Sequence, residues 1–191
     1  MKPDLLLKNI SKHISLTVDE KEFFISLLKT KSIKKGEYLL RQGDVCKHES
    51  FVIKGCLKSY YEDDNGAEHI VDFLVEEWWA DDLYSFLTQT ESKSNIKALE
   101  NTEVLQISKD DLETLYQRIS KFERLFRLIF QRAYISQRDQ INLMLSTPAE
   151  ERYLQFLKKK PYATRRFPQK DIASYLGVTP QFLSILKKKV N

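Results

Sequence analysis

Cysteine is almost absent from this chain. Cys46 and Cys56 are the only two among 191 residues, ten positions apart, with no Cys or His near enough to complete a metal-ligand pattern. A disulfide framework, a zinc site and an iron–sulfur cluster are therefore not expected, and both thiols are read as reduced. No apolar run approaches the roughly 18 residues of a membrane-spanning helix. The opening stretch, Met1 to Lys8, is too short an apolar segment for a signal peptide. These two observations predict a soluble cytoplasmic protein without a membrane partner. Only three histidines occur, His13, His48 and His69, scattered and without a His-x-His pair, so no metal site or metal-dependent catalysis is expected. Asp81 and Asp82 are chain neighbours and, on an extended chain, point to opposite faces, which keeps them from acting as a facing acid–base pair. No catalytic residue is assigned, and the chain is not read as an enzyme.

What is present is enough apolar matter for a core, 42% of residues, and an uneven charge. The net charge of +4 divides sharply near Leu145-Ser-Thr-Pro148. Residues 146–191 hold ten Lys or Arg and three acids, a net +7, and the remainder carries −3. A basic end domain points to a polyanionic partner, against the plainer reading of a solvated lysine-rich surface.

The hydrophobic period changes along the chain. A short helical lead, Val18 to Lys29, gives way to short alternating runs: Ile33 to Leu40, Ser50 to Ile53, Cys56 to Tyr61, His69 to Leu74 and Glu103 to Ile107. Asp64-Asn65-Gly66 is a hairpin signal, because Asn and Gly tolerate the positive φ of a type I′ turn. Short strands with regular turns imply a compact antiparallel barrel or sandwich. Helical period returns from Asp110 to Tyr116 and then from Ser120 to Leu145, free of Pro and Gly. There Phe122, Phe126, Ile129, Ala133, Ser136, Gln140 and Leu143 alternate spacings of four and three, as a coiled-coil seam does. Such a stripe serves either a dimer or packing on its own barrel. Pro148 starts a further helix, Ala149 to Lys159, and Pro161 ends it.

Gln169 to Leu186 has the spacing that two short helices crossing at a tight turn require. Ile172, Leu176, Val178, Leu183 and Leu186 supply a shared core, and Ala173 is small where the helices cross. Gly177 suits the left-handed end of the first helix, Thr179 caps the second, and Pro180 fits its first turn. In a major groove, Gln181, Ser184, Ile185 and Lys188 share the outer face: Gln181 toward adenine, Ser184 toward a base edge or a phosphate, Ile185 toward a thymine methyl. Arg165, Arg166, Lys170, Lys187 and Lys188 are candidates for phosphate neutralisation, with Gln169 and Thr179 at the two helix starts completing the candidate DNA contacts.

This order of β-roll, long helix and terminal helix-turn-helix resembles the cAMP receptor protein and FNR family over nearly the entire chain. Ile33 to Asp44 looks like that family's early strand pair, and Phe51 to Leu57 like the following one. The resemblance implies an α+β protein. Its parts are an antiparallel β-roll (a double-stranded β-helix) as effector domain over residues 1–118, a dimerisation helix over 119–145, and a helix-turn-helix domain of winged-helix type over 146–191. It further implies a homodimer on a near-palindromic duplex, contact with RNA polymerase, and a small effector in the roll. Phe122, Phe126, Ile129 and Ala133 would be the dimer-helix contacts. The family's cyclic-nucleotide cassette is degraded here. Asp81-Asp82-Leu83 stands where Gly-Glu-Leu would, and Lys93-Ser94 where Arg-Ser would, so lysine replaces the two-pronged phosphate ligand. These five residues mark the expected effector pocket, and cAMP is not expected in it. No cysteine precedes Cys46, so the FNR branch's iron–sulfur cluster is not expected either. With the chain ending five residues after Leu186, any hairpin wing is expected before the recognition helix, around Tyr162 to Phe167.

Two alternatives are set beside this reading. One is a protein-interaction or sensor module whose helix-turn-helix no longer binds DNA, since Pro180 and Ile185 occupy places where the family commonly presents arginine. The other concerns Tyr60, Tyr61, Phe73, Trp78 and Trp79, which either line an apolar cavity or belong to the core and its cover.

Overall fold

The computed structural model describes residues 3–190. Helices α1 (Asp4–Ser11) and α2 (Val18–Ser26) lead in. Thr17 starts α2 with a capping box: its hydroxyl accepts from Glu20 N–H, and the Glu20 carboxylate accepts from Thr17 N–H. The strands are β1 (Lys29–Ile33), β2 (Tyr38–Leu40), β3 (His48–Lys54), β4 (Leu57–Glu62), β5 (Glu68–Leu74), β6 (Asn95–Ala98) and β7 (Thr102–Ser108), with the short helix α3 (Leu83–Thr88) before β6. They form two sheets, β1-β7-β3 and β2-β6-β4-β5. Both pairings of β7 are antiparallel, with Lys31 opposite Val104 and Ser50 opposite Gln106. The antiparallel strands expected from the alternating runs are therefore present, in the β-roll that the family resemblance implied, although α1, β1, α3 and β6 carried no sequence signal strong enough to be assigned.

Two faces of the three-stranded sheet serve different ends, because alternation sends successive side chains to opposite sides. Val52, Val104 and Ile33 share the core with Leu40, Leu57 and Ile96 of the second sheet. On the other side Phe51 meets Trp79 edge-on at 5.4 Å, and Trp79 meets Phe126 at 5.2 Å. Gly55 is required where β3 turns into β4. Its φ is +97°, and a Cβ there would lie 2.5 Å from Thr102 Oγ1.

Helix α4 (Lys109–Arg118) begins at Ser108, whose hydroxyl accepts from Asp111 N–H, and α5 (Lys121–Ser146) runs unbroken for 26 residues. Its first turns belong to the barrel core: Phe122 and Phe126 are fully buried, and Phe122 stacks at 4.7 Å on Phe24. The dimer-contact expectation is corrected for these two. They already have partners in their own chain, since an apolar stripe beside a barrel is used where it first meets apolar surface. Ile129 is partly buried on the same core, and Ala133 is exposed.

Helices α6 (Ala149–Lys159), α7 (Ala163–Arg166), α8 (Gln169–Tyr175) and α9 (Pro180–Val190) follow. The stretch expected to hold a hairpin wing is helical instead. Ala163 is fully buried and Phe167 N–H bonds to Ala163 O, closing a helical turn where a strand would need a partner. The chain divides into two compact units. One holds the chain up to Ser59 with Phe73–Phe130, the other Tyr60–Asp72 with the chain from Gln131 onward. No helix among the described residues is long and apolar enough to cross a membrane.

Candidate nucleic-acid interface and barrel cavity

In the second unit, α8 and α9 form the helix-turn-helix. Ile172, Ala173, Leu176, Leu183 and Leu186 are each at most 1% exposed, and Val178 is half-buried. Ala173 is the small residue that lets the helices approach. Gly177 takes φ +64°, and a Cβ on it would meet Met144 Cε at 2.6 Å, so both conformation and crowding call for glycine. Thr179 Oγ1 accepts from Phe182 N–H at 3.2 Å, the cap expected for α9. Arg152 of α6 donates to Leu176 O from Nε and Nη2 and to Thr147 O from Nη1, closing the carbonyl end of α8.

Along α9, Gln181, Ile185 and Lys188 are exposed on the side away from Leu183 and Leu186. Ser184 is tied down within the motif: its hydroxyl donates to Pro180 O at 3.0 Å and accepts from Gln169 Nε2 at 2.6 Å. Lys187 Nζ lies 3.5 Å from the Gln169 amide oxygen. Gln169, Ser184 and Lys187 thus form a polar brace across the two helices, beside the exposed Gln181 and Ile185. Arg165 and Lys188 are exposed, Arg166 is half-buried with its guanidinium 5.8 Å over the Tyr162 ring, and Lys170 lies 3.8 Å from Glu68.

One lysine counted with the basic surface is not part of it. Lys160 is buried and donates to Asp72 Oδ1 at 3.0 Å. Asp72 comes from the β4–β5 hairpin, whose edge also meets α8: Ser174 Oγ donates to Glu68 O at 2.7 Å and accepts from Ile70 N–H at 3.0 Å. Sequence reasoning missed this docking because its partners are 88 to 106 residues apart.

In the first unit the degenerate cassette bonds with itself. Asp82 caps α3 by accepting from Ser85 N–H, and its other oxygen accepts from the Ser92 hydroxyl at 2.6 Å. Leu83 begins α3 half-buried, Ser94 is buried with its N–H and carbonyl both bonded to Ser92 Oγ, and Lys93 is exposed. Of the five expected pocket residues, only Asp81 lines the barrel cavity. That cavity holds about 300 Å³ and is bounded by Lys31, Lys47, His48, Ser50, Gln106 and Asp81 among others. Gln106 Nε2 donates to Ser50 Oγ at 2.9 Å in its floor. Burial, then the Asp81 charge, raises the Glu49 carboxyl well above its ordinary range, and burial raises its hydrogen-bonded neighbour Asp81. Burial followed by Lys31 and Lys29 holds His48 below the ordinary histidine range. The only sequence signal for this site was alternation in β3, which sets His48 and Ser50 on one face. Tyr60 and Phe73 are core, Trp79 is packed on it, and Tyr61 and Trp78 are exposed; none lines the cavity. Among the described residues no group of three or more His, Cys, Asp or Glu could hold a metal ion.

The profile of the cyclic nucleotide-binding domain matches residues 30–119. The chain is 29% identical to the anaerobic regulatory protein of Haemophilus influenzae, over 82% of this chain and 64% of that protein. It is 27% identical to the transcriptional activator protein Anr of Pseudomonas aeruginosa, over 90% of this chain and 74% of that protein. The chain thus spans slightly less than two thirds of the first relative's length. Among solved structures, FixK2 from Bradyrhizobium japonicum superposes with a TM-score of 0.75 at 18% identity, covering 85% of this chain and 84% of that one, a likeness of fold. These relatives are named as regulators and not as enzymes, and the interaction-module alternative is not favoured by them. A barrel matching the cyclic nucleotide-binding domain over residues 30–119 leads into a helix-turn-helix here, and along more than four fifths of its length the chain is similar to transcription regulators of the Crp/Fnr type.

Proposed function

We propose that this chain is a cytoplasmic, DNA-binding transcription regulator that acts as a homodimer on a near-palindromic duplex, with the barrel sensing a small effector other than cAMP. The observation that carries the reading is the outer face of α9, where Gln181, Ile185 and Lys188 stand exposed over a fully buried helix-crossing core. Lys187 and Lys188, with Arg165, Arg166 and Lys170, supply positive charge for phosphates, and contact with RNA polymerase belongs to the same expectation.

The homodimer is supported by the second half of α5. Residues 131–139 are all exposed, with Tyr134 at 66% and Ile135 at 57%, and Ile141 and Leu145 are exposed further along. A helix that leaves four large apolar residues in water is suited to a twin helix. The seam therefore lies later in α5 than Phe122 and Phe126.

Selection of bound sequences from a random duplex pool tests the reading directly. The intact protein should enrich an inverted repeat, and Gln181→Ala should relax preference at one base position per half-site, a discrimination of about 1–3 kcal/mol. Lys188→Ala should weaken all duplexes alike and flatten the salt dependence by about one phosphate per subunit. Failure to enrich any sequence, with or without added cell metabolites, would remove the DNA-reading assignment.

A further inference from the structure

The cavity at the barrel mouth has a charge pattern that the family's nucleotide cassette does not explain. Strand alternation places Lys29 and Lys31 of β1 on the same sheet face as Gln106 of β7 and His48 and Ser50 of β3. Lys47 comes in from the loop before β3. Lys29, Lys31 and Lys47 are exposed, and none of them has an ion-pair partner among the described residues. Like charges gathered around a half-buried histidine repel one another and are costly unless an anion joins them.

The acids nearby cancel only part of this charge. Asp44 lines the cavity too but is exposed, one carboxylate against three lysines. Asp81 is hydrogen-bonded to Glu49, and burial favours a proton shared within that pair. Asp111 of α4 acts on His48 less than Lys31 and Lys29 do, though more than Lys47, and its carboxylate is bonded to the Ser108 hydroxyl. In the cavity floor Ser50 Oγ accepts from Gln106, which leaves its own proton for a ligand. The cassette, by contrast, offers no such place, since Asp82 and Ser92 satisfy each other and Lys93 points to solvent.

We propose that this cavity binds a small oxyanion, the carboxylate or phosphate group of a metabolite, held by Lys31, Lys47 and His48 with Ser50 donating from the floor. Its regulatory meaning rests on the barrel being the sensor of the regulator proposed above; occupancy itself does not.

Nuclear magnetic resonance titration of the three histidine rings in the full-length protein tests it. Inorganic phosphate and succinate, each added at fixed ionic strength, are the probes. The bound anion should raise the His48 midpoint saturably by about half a pH unit or more, because it replaces lysine repulsion with attraction. His13 and His69 should not move, and the double variant Lys31→Gln/Lys47→Gln should lose the effect. A saturable response to one probe only tells phosphate from carboxylate chemistry. No saturable shift with either probe, an equal shift with chloride, or a shift that survives the double variant overturns the proposal. The titration uses no DNA, so running the duplex selection beside it tells a failed anion site from a failed regulator.

Discussion

Replacing Asp72 by alanine should destabilise the second unit far more than replacing its partner Lys160 by methionine. The asymmetry follows from burial: the Lys160 side chain is 8% exposed, whereas that of Asp72 is 29% exposed. Removing Asp72 leaves a buried ammonium without this counter-charge, and removing one partner of a buried pair costs about 3–5 kcal/mol. Partial exposure of Asp72 places the expected loss below that range, at about 2–3 kcal/mol. Lys160→Met keeps the apolar stem and leaves a carboxylate that water can reach, so its cost should be below about 1 kcal/mol. For a chain of this length those losses correspond to about 5–10 °C and under 4 °C in melting temperature. Urea unfolding at fixed salt, followed by circular dichroism and tyrosine and tryptophan fluorescence, measures both. Equal losses from the two variants, or a larger loss from Lys160→Met, would refute the argument from burial.

Two further outcomes follow from the first unit. Glu49 has a folded pKa raised by burial and by Asp81, so its contribution to stability is complete below the ordinary carboxylate range and is lost as pH rises toward the folded value. Unfolding free energy should fall across that window by up to about 1.4 kcal/mol per pH unit, and Glu49→Gln should flatten the fall and be the more stable form at pH 8. A steeper fall in the variant would contradict this. Burial also pushes the Cys46 thiol up to about 12, and Cys56 is fully buried. Neither should react with an aromatic disulfide reagent at pH 8 until denaturant is added, and rapid native reaction of either would show that the barrel opens.

The sequence by itself determined the parts that depend on near neighbours. Ala173, Gly177, Thr179 and Pro180 announce the helix-turn-helix because a tight crossing, a left-handed turn and a cap are local demands on residue type. Alternation and Asp64-Asn65-Gly66 announced the barrel for the same reason. Only the tertiary structure decided which surface each apolar or charged residue meets. Phe122 and Phe126 have the spacing of an intermolecular seam, yet Phe24 and Trp79 take them into the barrel core. Ser184 sits on the expected reading face but bonds to Gln169. Lys160 reads as one basic residue among ten and is instead the buried partner of Asp72. The cavity was invisible for the same cause. Lys31, Lys47, His48, Ser50 and Gln106 come from three strands and a loop, and strand register, set by long-range pairing rather than local pattern, is what brings them together.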